Sequence, residues 1–493
     1  MSSLIQDAGL YWRPLGGNNI DQISGHSYQY TCVLHKNEKV KFSTIIVDIG
    51  KFDNHQAFGI KNSIAAVPDV RDIIRNKDLN LKAVFITHSH PDHLNGIVHY
   101  IRAGYKLPPI YGGRYTKMIL EDLYKYYQIG KINQPTFVEI EEGQIIKCSD
   151  IEIEVISASH TCFDSFGFII SACDTKVYHS GDMKVDSSTY FRKPTNIKRL
   201  KELSSNIDYV VGDFYSIDCA GVAFREADVL KTLVKIIKKS RKSKVFLPVY
   251  PTHVEMYIVA FLSALKLKKD VIFYGDADFY SYLKQIKDYG IDFNKISKGI
   301  VKVIEGIPED IDSFSKNFVV IGAYNDIGEW FNDSKEDSFA IITARTFFNP
   351  LKGQMNARDI KFVTLDDYPV LQGAGHGYLG DWEQILKILP KAVYIPTHCP
   401  YFIAEGFTEL AKKIGFDMIN PLPKNNSLYR FNKKSYAAVM TKPATWLIVN
   451  SDAVFTEVWQ KATSGIGFLK RTISKKRAQR KFKMMLCQRV KNR

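Results

Sequence analysis

Residues 87–96, THSHPDHLNG, place three imidazoles and a carboxylate within six positions, directly behind the apolar run AVFI. Neutral imidazoles and an ionised aspartate at the end of a buried strand each need a partner or water. A metal ion satisfies all of them at once. Zinc takes imidazole nitrogen and carboxylate oxygen near 2.0–2.2 Å, and its catalytic sites leave one position open. His88, His90, Asp92 and His93 cannot all reach one ion from a single short turn. Alternating directions suggest two ions, one held by His88 and His90, the other by Asp92 and His93.

Further ligands must then come from elsewhere in the chain. Apolar runs bounded by turn residues recur throughout, among them TIIVDIG, AVFITHS, KVYHSGD, YVVGDF, KVFLPVY, FVVIGAY and VYIPTHC. Many are separated by helix-length segments such as DVLKTLVKIIKKS and VEMYIVAFLSALK, which predicts an α/β protein with buried strands. His or Asp follows these runs at Asp48, His88, His160, Asp182, Asp213 and His398, and His376 follows a glycine-rich turn. Such strand ends are where α/β folds collect ligands. His160, Asp182 and His398 supply the residue types that two ions about 3.5–4 Å apart require. The remaining histidines, including His26, His35, His55, His99, His179 and His253, stand singly and read as surface or satisfied core side chains.

The chain is long enough for two or three domains, and 45% hydrophobic with 24% charged residues is a globular composition. No apolar run approaches the roughly 20 residues that span a bilayer, and no signal pattern opens the sequence, so a cytoplasmic location is expected. Seven cysteines without a CxxC pair argue against a disulfide framework and a thiolate zinc knuckle. Of the fifteen net positive charges, eleven fall in residues 470–493, which hold no acid. Their interleaving with Leu469, Ile473, Phe482, Leu486 and Val490 suits an amphipathic helix with a strongly basic face, read first as an RNA-binding extension.

The motif THSHPDHLNG resembles the signature of the metallo-β-lactamase superfamily. IIVDIG at Asp48, ASHTCFDSFGF at His160 and VYHSGDMKVD at Asp182 are similar to its other motifs as the ribonuclease J family carries them, as are RPLGG and AAVPDVRDI. The resemblance implies an αββα sandwich in which His88, His90 and His160 bind one zinc, Asp92, His93 and His398 the other, and Asp182 bridges. Asp48 would orient the metal loop. More than two hundred residues separate Asp182 from His398, and this gap resembles the β-CASP nucleases, whose inserted α/β domain closes over the metals. Domains are expected at 1–221 and 353–440 for the two parts of the sandwich and at 222–352 for the insert. Residues 441–493 would form a short extension with the basic tail.

VVGDFYSID, LQGAGHG and AVYIPTHC are similar to the acidic and histidine motifs of that branch at Asp213, His376 and His398. A histidine near the metals can stabilise phosphoryl oxygens or protonate a leaving oxygen, and a carboxylate such as Asp213 would hold its tautomer. The resemblance thus implies a metal-dependent ribonuclease with Asp92, Asp182, His376 and Asp213 as its catalytic groups. Two zinc ions, or manganese in their place, would activate a hydroxide for cleavage of RNA. Its partners would be an RNA substrate and further copies of the chain. Three departures from the family stand out: Ala374 where it has serine, Tyr324 in GAYNDIGEW at or near a serine, and no globular C-terminal domain. A hydrolase of a small ester, lactone or phosphodiester is the alternative on the same metals. A non-catalytic RNA scaffold would have lost ligands, and all seven are present.

Overall fold

The computed structural model describes residues 5, 7–18, 24–37, 39–52, 63–242, 244–306, 317–323, 337–343, 348–413, 417–419, 422–432, 435–440 and 445–459. Tyr324, His55 and the basic tail lie outside them. The strand Lys39–Val47 shows how the sequence builds the architecture: Ile45 and Val47 turn to one face and Ile46 to the other, and all three are fully buried. Alternation with both faces buried gives a continuous apolar run. Ile45 and Val47 pack into a core lying between two sheets, whereas Ile46 faces the other core, which Ile97 and Val98 of the helix Gly96–Arg102 also enter. Ala83 and Phe85 repeat the pattern inward, Val84 and Ile86 outward.

The first sheet has eight strands in the order Ser435–Met440, Leu428–Asn432, Gly9–Gly16, Ser27–Lys36, Lys39–Val47, Leu81–Phe85, Ile110–Gly112, Phe137–Glu139. It is antiparallel as far as Lys39–Val47 and parallel beyond. The second has seven, in the order Asp417–Met418, Val393–Thr397, Tyr209–Asp213, Thr175–His179, Phe166–Ala172, Ile151–Ser157, Ile145–Cys148. The helices Leu379–Ile388 and Tyr401–Lys413 bury Trp382, Ile385, Phe407 and Ala411 into the core that this sheet shares. The protein is therefore an α/β molecule of metallo-β-lactamase sandwich type.

Tyr209–Asp213 and Val393–Thr397 are parallel neighbours in that second sheet. Between them the chain leaves to build a separate, wholly parallel six-stranded sheet, Val303–Glu305, Asp270–Tyr274, Phe318–Ala323, Lys244–Val249, Ser338–Ile341, Lys361–Val363. It carries the helices Glu226–Ser240 and Val254–Lys266. This is the inserted domain that the long gap predicts. Further on, Thr445–Asn450 pairs with both Phe455–Trp459 and Ser63–Pro68, and Trp446 is fully buried. Part of the segment read as an extension is thus built into the body.

Candidate metal centre

The chain turns sharply after Val47, and Asp48 takes a left-handed φ of 60°. Its buried carboxylate accepts the Thr87 N–H at 2.8 Å, the Thr87 hydroxyl at 2.9 Å and the His93 Nδ1–H at 2.8 Å. Because the Thr87 hydroxyl donates to Asp48, its oxygen accepts from His88 Nδ1 at 3.0 Å. The Gly375 carbonyl accepts from His160 Nδ1 at 2.7 Å. His88 and His160 therefore carry their proton on the outer nitrogen and turn a lone pair inward. Burial opposes charge on His93, but Asp182, Asp48 and Asp92 outweigh it and hold that ring up, so its inward nitrogen would give up a proton to a bound cation. His88 Nε2 and His93 Nε2 are buried and meet no hydrogen-bond partner. Inward lone pairs without donors are what a cation would satisfy, so this donor set fits a metal.

His88, His90, His160 and Asp182 each bring one ligand atom within 4.8 Å of the others. Asp182 Oδ2 stands 3.7 Å from His88 Nε2, 3.8 Å from His160 Nε2 and 3.4 Å from His93 Nε2. Asp92 Oδ2 stands 3.9 Å from both His93 Nε2 and His398 Nε2. His398, itself at φ 53°, places Nδ1 3.2 Å from Asp182 Oδ1 and 3.4 Å from Asp213 Oδ1. Two non-glycine residues held in the left-handed region at one site are the kind of strain that functional centres retain. Burial pushes the His88, His90 and His160 imidazoles down, His90 to about 4. Burial also opposes charge on His398, but Asp182 and Asp213 outweigh it and hold that ring up at about 10.

All seven residues expected as ligands thus meet at the strand ends of the two sheets. The two remaining candidates lie beside them. His376 Nδ1 donates to Asp213 Oδ2 at 2.7 Å, and Asp213 also accepts the backbone N–H groups of Met183 and Tyr215. Asp213 is buried, whereas the His376 side chain keeps 19% of its surface exposed. The ring lies 5.0 Å from His160 and 4.9 Å from His398, and Tyr215 covers both His376 and His398.

Sequence reasoning passed over two residues here. Tyr215 lies two places beyond Asp213, with no spacing signal of its own. His26, read as surface or satisfied core, is buried against His93 and His398 and joins them as a third possible ligand group. The loop Thr161–Ser165 connects this centre to the inserted domain: Thr161 O accepts the Glu255 N–H at 3.1 Å, and Phe163 stacks on Tyr289 at 4.2 Å.

Residues 64–215 match the model of a β-lactamase superfamily domain. Ribonuclease J of Mycoplasma pneumoniae is 22% identical over 440 residues, 84% of this chain and 73% of that protein. Ribonuclease J of Mycobacterium tuberculosis is 24% identical over 233 residues, 47% of this chain and 40% of that protein, so the chain spans less than half of this relative's length. Among solved structures, a protein of unknown function from Enterococcus faecalis superposes with a TM-score of 0.60 at 18% identity. It covers 86% of this chain and 100% of its own. The chain carries a metallo-β-lactamase superfamily domain and resembles ribonuclease J over most of its length.

Proposed function

We propose that the chain is a metal-dependent ribonuclease that hydrolyses RNA phosphodiester bonds, leaving a 5′-phosphate and a 3′-hydroxyl, and works in RNA processing or decay in the cytoplasm. The observation that carries this reading is the meeting of His88, His90, Asp92, His93, His160, Asp182 and His398 beside the His376–Asp213 pair. Likeness to ribonucleases J supports the substrate class. His88, His90 and His160 would hold one zinc ion and Asp92, His93 and His398 the other, with Asp182 shared between them and manganese able to replace zinc. Two such ions supply Lewis-acid activation of water and of the phosphoryl group.

The chain's own groups do the rest. Asp48 fixes the His93 ring directly and the His88 ring through Thr87. Asp213 accepts the His376 Nδ1–H and so turns Nε2 toward the site, where the doubly protonated ring would face a phosphoryl oxygen or pass its Nε2 proton to the departing one. The insert, proposed as residues 222–352 and extended by the strand Lys361–Val363 of its sheet, would form with the sandwich the groove that holds RNA. The test is incubation of zinc- or manganese-loaded protein with 5′-monophosphorylated, 5′-triphosphorylated and hairpin RNAs, with product lengths resolved. Shortened products that vanish on chelation are expected. Intact RNA alongside hydrolysis of a small phosphodiester or lactone would replace this reading with the alternative.

A further inference from the structure

We propose that His26 is an additional ligand of this centre, joining Asp92, His93 and His398 around the second ion beside the shared Asp182. This rests on the reading that the cluster holds metal. The His26 side chain is 1% exposed, and its position is set by the main chain: its N–H donates to Asp92 O at 2.7 Å and its carbonyl accepts the Gly50 N–H at 2.9 Å. The residue is thus clamped to both sides of the metal loop. Gly17 makes room for the ring, since a Cβ there would fall 2.5 Å from both His26 Nδ1 and the Tyr28 hydroxyl.

The ring's orientation leaves one nitrogen for the site. His26 Nδ1 is bonded to the Tyr28 hydroxyl at 2.8 Å, and Nε2 faces Asp92. In the tautomer whose Nδ1–H is donated to Tyr28, Nε2 presents a lone pair.

The Nε2 atom is buried and has no hydrogen-bond partner. Its nearest charged neighbour is Asp92 Oδ2 at 3.7 Å, another acceptor. Two acceptors facing each other in a buried site repel unless a cation lies between them. Asp92 Oδ2 is almost equidistant from three imidazole Nε2 atoms, those of His26, His93 and His398, at 3.7, 3.9 and 3.9 Å. Ligands on a tetrahedral ion with bonds near 2.1 Å stand about 3.4 Å apart, so a modest contraction converts these contacts into coordination. The His26 and His93 rings lie within 16° of parallel with centroids 4.1 Å apart, so sharing an ion requires His26 to tilt off His93.

The experiment compares full-length wild type with His26→Ala by zinc titration calorimetry and by metal analysis after dialysis. Wild type should hold two ions, and His26→Ala should keep one while the second binds at least about tenfold more weakly, in the range seen when metal-site support is lost. A far-UV spectrum checks that the variant is folded. Two ions retained with unchanged affinities would overturn the assignment. A crystal structure of zinc-loaded wild type decides independently of any variant: His26 Nε2 at about 2.0–2.1 Å from an ion supports it. A ring still stacked on His93 and out of bonding range overturns it. Wild type that holds no divalent ion would overturn the metal reading itself, a separate outcome from failure of His26 alone.

Discussion

The carboxylate of Asp48 accepts three donors from the metal loop while touching none of the inward lone pairs. Asp48→Ala should therefore weaken metal retention by about 10–100-fold, the usual effect of losing an orienting carboxylate, with bound zinc after dialysis as the measure. Full retention would make Asp48 a packing residue. His376 gives the opposite pattern, since its Nδ1 is already engaged by Asp213. His376→Ala should lower the rate of RNA cleavage by about 10²–10⁴-fold and leave zinc content unchanged; zinc loss in that variant would make His376 a ligand. The cluster at 88–93 was legible because its donors are contiguous in sequence, and Asp182 and His398 because each closes an apolar run. His26 was not: Gly and Ser flank it, and only the main-chain bonds of residues 26, 50 and 92 bring it to the site.

Strand Ser27–Lys36 shows why some elements stay hidden in sequence. It is central in the first sheet, yet SYQYTCVLHK lacks the apolar run that marks Lys39–Val47. Tyr28, Tyr30 and Cys32 fill the core between the sheets, while Gln29 and Thr31 on the other face are buried in a polar network with Arg13 and Thr44. Hydrogen bonding here does what apolar burial does elsewhere, and hydropathy does not register it. This strand also joins the two sheets through Tyr30, whose hydroxyl meets His179 Nδ1 at 2.9 Å. Burial first of all holds His179 down at about 3, so it is neutral when folded but takes a proton below about 6.5 once unfolded. A depressed folded pKa means stability that is complete above 6.5 and is lost as pH falls toward 3. Metal-free protein should lose about 2 kcal/mol through His179 between pH 7 and pH 5. Urea unfolding of His179→Gln should show a correspondingly shallower dependence on pH, and an identical dependence would rule the group out.

At the scale of the molecule, the inserted sheet announced itself by the length of chain between Asp182 and His398, but its attachment did not. Lys184, Asp186 and Arg192 of the sandwich meet Glu226 and Glu255 of the insert's helices, all with side chains at most 3% exposed. Lys184 Nζ lies 3.0 Å from Glu255 Oε2, which Arg192 also reaches at 3.0 Å. Three carboxylates face two cations. Burial raises Glu226 to about 7 although Arg192 opposes it, so a shared proton relieves the excess charge. Glu255→Gln, which strips both cations of their common partner, should cost about 3–5 kcal/mol, and Glu226→Gln much less. Equal costs in urea unfolding would refute this division of roles. Of the region beyond 440, residues 445–459 belong to the body, which leaves the basic segment 470–493 as the proposed electrostatic attractor of RNA. The chain outside residues 470–493 is close to neutral, while the proposed substrate is a polyanion. Each phosphate neutralised on a single strand adds about 0.7 to the slope of log affinity against log salt. Deleting residues 466–493 should weaken RNA binding at low salt and flatten that slope by a few units, with cleavage of a short RNA at saturation near the wild-type rate. An unchanged slope would refute RNA binding by this segment, and co-sedimentation with anionic liposomes would then separate a membrane-surface helix from one docked on the body.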